Sequence, residues 1–282
     1  MNEINKHIAD LLMGMHGIDI SQYDTSFLGR SLQKRITEIH CGSVEEYCSF
    51  LEDNKMEGKN FFDSLHISYS EFFRNPLTFA VLERIIVPSI VLKKKTNKRK
   101  EIRIWSAACA AGQEAYSIAI LLEELKNGNM NKFDYRIFAT DLCESQVDEA
   151  RKGAFTAAAL HNASMKRAEQ WFTHRGETYF AKPELKEHID FSVFDLFDEH
   201  VSSPPASIFG DFDLVFCANL LFYYKNAYRK IILDKITHCL ASGGFLITGE
   251  AEREIVMKHG FHEVYPQSAI FQKKNGTRMT QI

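Results

Sequence analysis

Residues 101–125, EIRIWSAACAAGQEAYSIAILLEEL, constrain the fold more than any other stretch of the chain. Ile102, Ile104 and Trp105 form a short apolar run with β-branched content, as a strand buried by its neighbours requires. Residues 106–112 then carry almost no side chain, and Ile118, Leu121, Leu122 and Leu125 follow at helical spacing. A strand feeding a helix through so bare a turn lets a ligand approach the backbone. The helix start adds free N–H groups and the positive end of a dipole. Small residues that merely allow close packing of a tight βα turn give the same pattern. One glycine is not a dinucleotide fingerprint, and no G-x-x-x-x-G-K-[ST] phosphate loop is present.

Upstream, residues 1–92 read as helical throughout. Ile4, Ile8, Leu11 and Leu12 make a stripe that stops at Gly14 and Gly17. A second helix over 25–39 turns Phe27, Leu28, Leu32, Ile36 and Ile39 inward and Arg30, Lys34 and Arg35 outward. That basic stripe is either a solvated face or a docking surface for an acidic partner. Ser43 with Glu46 has capping-box spacing ahead of Tyr47, Phe50 and Leu51, and Phe61, Phe62 and Leu65 mark a further short helix. Residues 66–76, HISYSEFFRNP, precede a helix carrying Phe79, Leu82, Ile85 and Ile86. Arg74, beside two phenylalanines, either snorkels from a core edge or is held there to meet an anion. Residues 93–100, KKKTNKRK, place six positive charges in eight positions and read as a solvated linker at the domain boundary.

From residue 101 strands and helices alternate, the pattern of a parallel sheet with helices on both faces. A second strand, 135–139, ends in Thr140-Asp141 and leads into a helix over 144–151. β-like pieces lie at 178–180 and 189–193, a buried strand at 212–217 and a helix at 228–240. Ser242-Gly243-Gly244 turns the chain into a strand at 245–248, and residues 261–271 form a terminal pair of edge strands. The composition, 45% hydrophobic and 25% charged, supports a real core, and the net charge of −3 argues against a dedicated nucleic-acid binder. Six cysteines (Cys41, Cys48, Cys109, Cys143, Cys217, Cys239) are scattered without a C-x-x-C pair, as expected for reduced thiols rather than a disulfide or zinc framework. His259 and His262 stand alone, so no metal is expected. No apolar run reaches the roughly 20 residues of a membrane span. A cytoplasmic chain without membrane insertion follows, simplest as a monomer.

In open α/β sheets ligands bind at the carboxyl ends of the strands, near the switch point. The 106–112 turn and Asp141 fall there. An ionised carboxylate is acceptor-only and can take both hydroxyls of a ribose; Asp141 with Glu144 equally satisfies a capping box. Asp195-Leu196, after the piece 191–194, is placed to flank an adenine edge. NLLFYY, residues 219–224, follows the strand 212–217 and lines the same crevice.

These segments together resemble the chemoreceptor methyltransferase family (CheR-type protein-glutamate O-methyltransferases) over almost the whole chain. The matching pieces, in the family's order, are GIDISQY, SLQKRI, SYSEFFRNP, IWSAACAAGQEAYSIA, FATDL, FSVFDLF, FDLVFCANLLFYY and SGGFLITGEAE. The resemblance implies an all-α N-terminal domain (1–92), the basic linker (93–100) and an α/β Rossmann-like S-adenosylmethionine-binding methyltransferase domain (101–282) with a small β-subdomain insert at about 171–193. It implies methyl transfer from S-adenosylmethionine, with S-adenosylhomocysteine as product, to glutamates of a methyl-accepting chemoreceptor or similar helical signalling protein. Arg74 and Tyr223 would be catalytic. Ser68, Ser70, Arg74, Ala108, Gly112, Glu114, Asp141, Asp195, Leu196 and Asn219 would contact the cofactor, and Arg30, Lys34 and Arg35 would dock the substrate. The chain departs from the family pattern at Ser31, Ser70, Ala108, Ala111, Gln113, Asp195, Ala218 and Ala251, which thins the cofactor's hydrogen-bond shell. A regulatory module with weakened catalysis, or a methyltransferase of the same fold with another substrate, is the alternative these departures leave open.

Overall fold

The computed structural model describes residues 3–65, 69–95, 100–128, 133–207 and 210–273, and they divide into two compact units. The first comprises residues 1–67 and 221–230. It holds α1 (Glu3–His16), α2 (Thr25–Glu38), α3 (Val44–Asp53) and α4 (Glu57–Leu65). Asp24 caps α2 by accepting the N–H groups of Ser26 and Phe27. Ser43 caps α3 through the N–H of Glu46. Glu46 reaches back to the N–H of Gly42 rather than that of Ser43, one residue beyond the expected box. The core of the unit is Ile8 and Leu12, then Phe27, Leu28, Leu32 and Ile36, then Tyr47, Leu51, Phe61 and Leu65, one stripe per helix. α1 passes through Gly14 and ends before Gly17, whose φ of +66° a side chain would resist.

One polar cluster ties three of these helices together. Arg35 donates from Nε and Nη2 to the two carboxylate oxygens of Glu57, at 2.8 and 2.7 Å, and the Tyr47 hydroxyl donates to the same group at 3.0 Å. Glu57 is 1% exposed. Burial would raise its pKa, but the hydrogen bonds from Arg35 and Tyr47 outweigh burial and hold it below the ordinary carboxylate range. Arg35 therefore does not belong to an outward docking stripe. Its guanidinium is spent on a buried partner, which helical spacing cannot reveal because Glu57 lies two helices away. Arg30 and Lys34 are exposed, Lys34 opposite Glu38 at 3.7 Å.

The segment 221–230 joins this unit through backbone bonds. Tyr23 and Tyr224 form an antiparallel bridge, Asp24 N–H donates to the Tyr223 carbonyl at 2.7 Å, and Lys225 N–H donates to the Gln22 carbonyl at 2.9 Å. The rings of Tyr23 and Tyr224 stack at 5.3 Å.

The second unit comprises residues 68–220 and 231–282. It opens with α5 (Pro76–Val81), a π-turn (Leu82–Ile86) and α6 (Val87–Lys95). The wider turn moves Ile85 outward, to 38% exposure, while Leu82 and Ile86 stay buried. Then follow β1 (Ile102–Ala107), α7 (Gln113–Asn127), β2 (Tyr135–Asp141) and α8 (Glu144–Lys152). Next come β3 (Ala154–Thr156), α9 (Met165–Trp171), β4 (Phe172–Arg175), β5 (Thr178–Ala181), α10 (Pro183–Lys186) and β6 (Ile189–Val193). The chain closes with β7 (Phe212–Phe216), α11 (Asn226–Cys239, begun in the first unit), β8 (Leu240–Ile247), α12 (Arg253–Lys258), β9 (Phe261–Glu263) and β10 (Ile270–Lys273). The main sheet runs β6-β2-β1-β7-β8-β10-β9. Its first five strands pair in parallel, and β10 is antiparallel between β8 and β9. Strand order reverses between β1 and β7, the switch point of a Rossmann-like sheet.

Three boundaries read from the sequence move. The division falls at residues 67 and 68, not at the basic run, because Phe79, Leu82, Ile86, Val87, Ile90 and Val91 share one core with β1 and β2. Of the run itself, Lys93 donates to the Ser242 carbonyl and Lys94 pairs with Asp213 at 2.7 Å, while 96–99 lie outside the described residues. The small antiparallel sheet is β3-β5-β4, so the insert begins near Ala154, and Ile189–Val193 instead pairs with β2 in the main sheet. A three-residue strand carries too little periodicity to be seen in advance. Gly243 and Gly244 form an irregularity within β8 rather than a turn before it, and β10 is interior rather than an edge strand.

Replacing one partner of the Arg35–Glu57 pair leaves a buried charge alone. Arg35→Met is expected to lower unfolding free energy at pH 7 by about 3–5 kcal/mol, and Arg35→Met with Glu57→Met to recover most of it. Because the Glu57 pKa is depressed on folding, its contribution is present above the unfolded carboxylate value. It is lost as pH falls through the lower folded value, so the gap between Arg35→Met and wild type should narrow in acid. Urea titrations at neutral and acid pH check both expectations.

Candidate functional site

The bare turn after β1 is held in a conformation that side chains resist. Ala108, Ala110 and Gly112 have φ of +67°, +47° and +91°. Left-handed backbone costs a non-glycine residue roughly 1–2 kcal/mol. At Gly112 a Cβ would also press on Ala150 Cβ at 3.0 Å and the Phe191 ring at 3.3 Å. Bonds to the neighbouring strand end hold the turn: Cys109 N–H donates to the Thr140 carbonyl and Ala110 N–H to Asp141 Oδ2, both at 2.8 Å. The N–H groups of Cys109 and Ala110 are thus already engaged. The other oxygen of Asp141 accepts the N–H of Cys143 at 3.0 Å. Cys143 is the cap residue of α8, so Asp141 does not fill the capping box that its spacing allowed; it ties the β1 and β2 tips together.

Glu114 stands in the first turn of α7 and accepts from Ser106 Oγ at 2.6 Å. Burial pushes its carboxyl up to about 7; Ser106 and the charge of Arg74 oppose that shift, and Glu252 adds to it. The neighbouring Gln113 has its Oε1 buried without a hydrogen-bond partner among the described residues.

Arg74 is positioned by the rings before it, which are core. Phe72 is fully buried and meets Phe155 at 4.9 Å and Phe172 at 5.5 Å, on β3 and β4. Phe73 packs on Phe79 and lies 4.1 Å beneath the Arg167 guanidinium. Its N–H donates to Ser117 Oγ at 2.9 Å, and Ser117 in turn donates to the Gln113 carbonyl. Phe73 and Asn75 both have positive φ, so the strained pair brackets Arg74. Arg74 stays half-buried, 5.5 Å from the Tyr69 ring, and makes no ion pair with any described residue. A serine within an apolar helical stripe was the one sequence signal for Ser117, which back-bonds to its own helix while holding the Arg74 loop.

Asn219 leaves the end of β7 with φ of +60°, its N–H donating to Glu252 at 2.7 Å. Asp195 closes a turn after β6 by accepting the N–H of Phe197 at 2.8 Å, with half-buried Leu196 inside it. Ala108 and Ser70 are half-buried, and Ser68 lies outside the described residues. The second unit therefore carries Arg74, Glu114, Asp141, Asp195 and Asn219 on the loops at the carboxyl ends of its strands and on the segment tied to α7. Tyr223 belongs to the first unit, where its ring packs against Phe27 at 4.8 Å and Phe222 at 4.3 Å. A depression of about 470 Å³ lined by Glu124, Asn127, Ser164, Lys166, Arg167 and Gln170 lies at the far end of α7 and is a different place. Among the described residues no cluster of histidine, cysteine, aspartate and glutamate could hold a metal.

A parallel sheet with this switch point, in a chain that begins with a helical unit, defines a Rossmann-like α/β domain with an all-α N-terminal region. The description "CheR methyltransferase, SAM binding domain" matches residues 68–269 and "CheR methyltransferase, all-alpha domain" matches residues 6–66, so the chain belongs to the CheR methyltransferase family. The chain is 32% identical over 194 residues to Chemotaxis protein methyltransferase 1 of Pseudomonas aeruginosa, covering 67% of this chain and 68% of that one. It is 31% identical to Chemotaxis protein methyltransferase Cher2 of Pseudomonas putida, covering 67% of each. It is 28% identical over 239 residues to a chemotaxis protein methyltransferase of Borreliella burgdorferi, covering 84% and 83%.

Because Glu114 has a raised pKa, the folded chain keeps a proton that the unfolded chain gives up. Stability of the ligand-free protein should therefore fall as pH rises from about 4.5 to about 7. Glu114→Gln is expected to flatten that fall and to be more stable at pH 8 by up to about 3 kcal/mol. Urea unfolding of both proteins at pH 5 and pH 8 measures the difference.

Proposed function

We propose that this chain transfers a methyl group from S-adenosylmethionine to glutamate side-chain carboxylates of a methyl-accepting chemoreceptor or similar helical signalling protein. The observation that carries the reading is Asp141, whose carboxylate joins the tips of β1 and β2 beside the switch point. The donor set fits the cofactor. Each Asp141 oxygen accepts one N–H and retains a lone pair for a ribose hydroxyl. Glu114 and the unpaired Gln113 Oε1 are acceptors suited to an ammonium group. Asp195, Leu196 and Asn219 are the candidates to flank the base, and Ser70, Ala108 and Gly112 complete the contacts.

S-adenosylmethionine, when bound, supplies a methyl group on a positively charged sulfur that is already activated for transfer. The acceptor glutamate, with an ordinary pKa near 4.3, is ionised at pH 7, so the protein need supply no general base. Its work is to position the carboxylate and to replace the water that stabilises it. Arg74 suits this role, since an arginine offers a planar pair of donors to a carboxylate, and this one lies near enough to Glu114 for its charge to be felt there without a direct ion pair to any described residue. Tyr223 is assigned as a further hydroxyl donor on the resemblance of its segment. Arg30 and Lys34 remain candidates for substrate docking. A regulatory module with weakened turnover is the second reading, favoured by the departures from the family pattern at Ser31, Ala111, Gln113 and Ala218.

Incubation with methyl-labelled S-adenosylmethionine and a chemoreceptor cytoplasmic fragment should yield base-labile label released as methanol. Arg74→Ala should reduce that release by about 100-fold. Binding of the cofactor without release would support the regulatory reading, and near-normal release by Arg74→Ala would refute the role given to that residue.

A further inference from the structure

Glu252 is fully buried, and one of its oxygens, Oε2, does two jobs. It accepts the N–H of Gly249 at 2.9 Å and the N–H of Asn219 at 2.7 Å. The first bond is the return half of an ordinary cap on the short turn Glu250–Glu252. The second is not needed by that turn, since Asn219 belongs to the tip of the adjacent strand, thirty-three residues earlier. Asn219 sits at φ of +60°, and its side-chain amide packs on the backbone of Gly249 so closely that a Cβ there would stand 2.7 Å from Oδ1. Gly249 itself has φ of −71°, so its backbone tolerates alanine, and the three atoms nearest to an added Cβ all belong to Asn219.

We propose that Glu252 is a positioning residue for the nucleoside site: its carboxylate clamps the β7 and β8 tips and holds Asn219 in the left-handed conformation that presents its amide to the ligand. The inference rests on the S-adenosylmethionine-binding reading above and deepens it. One oxygen serves two backbone donors, which an ionised carboxylate does more strongly than a neutral amide. A buried acceptor also keeps water from competing for those donors. The carboxylate's charge is felt at Glu114 as well, on the neighbouring β1 side of the switch point.

The test is calorimetric titration of the full chain with S-adenosylhomocysteine. Glu252→Gln keeps the shape and one carbonyl oxygen, and it should weaken binding by about 10-fold, the order expected for degrading a buried charge-assisted bond. Asn219→Ala should weaken binding by a similar factor. If Glu252 acts through Asn219, adding Glu252→Gln to Asn219→Ala should cost less than 3-fold more. The amide signal of Asn219 in a nitrogen-15 spectrum should shift in Glu252→Gln without ligand, and circular dichroism at the titration temperature confirms that the variants are folded. Gly249→Ala, which disturbs Asn219 while leaving the carboxylate in place, should reproduce the loss of affinity. Wild-type binding together with unchanged affinity in Glu252→Gln, or fully additive losses in the double variant, overturns the inference alone. A wild-type chain that takes up neither S-adenosylmethionine nor S-adenosylhomocysteine overturns both it and the proposed function.

Discussion

The carboxylate of Asp141 bridges two strand ends, and the conformation of the loops at that edge of the sheet depends on it. One oxygen takes the N–H of Ala110 and the other that of Cys143. Ala110 lies between two other left-handed residues, and such a backbone persists only where neighbours over-determine it. The turn can carry almost no side chain because the strand beside it, through the Thr140 carbonyl and Asp141, supplies the bonds that side chains would otherwise make. Bare backbone and a fixed carboxylate then stand at one edge, where strand order reverses.

Two further carboxylates extend the same device. Glu114 is drawn into the protein by Ser106, and Glu252 links the tips of β7 and β8. Burying an acid is unfavourable unless bonds or a cation compensate, and at Glu114 burial raises the pKa despite Ser106 and Arg74, which leaves room for further compensation. A ligand carrying hydroxyl donors and positive charge would complete it, which links the physical cost of the edge to what it is suited to bind. Arg74 arrives from outside the sheet. Its loop is clasped between the Phe155 and Phe172 rings of the small sheet and the Ser117 hydroxyl of α7, so the small sheet bears on the site through packing.

Much of this was legible from residue order. The strand–turn–helix at 101–125, the second strand with its terminal aspartate and the helices over 25–39 and 228–240 lie within a few residues of where periodicity placed them, because a dry face and a wet face leave a repeat in the chain. The insert was misplaced by a three-residue strand with no repeat to show. The domain boundary was misplaced because a basic run advertises solvent exposure, whereas the apolar helix ahead of it, packed on the sheet, decides which unit it joins. At helical spacing Arg35 is indistinguishable from its exposed neighbours; only Glu57, opposite it in the folded unit, sets it apart.

By itself the sequence determined the kinds of elements, their order, the family pattern and the candidate residues, since these follow from local periodicity and from side-chain chemistry at fixed spacing. Only the tertiary structure decided whether Asp141 caps a helix or ties two strands, whether Arg35 faces solvent or a buried acid, and which residue holds Asn219. Those outcomes turn on hydrogen bonds between groups 22 to 33 residues apart. Their geometry exists only once the strands are side by side, and no local repeat records it.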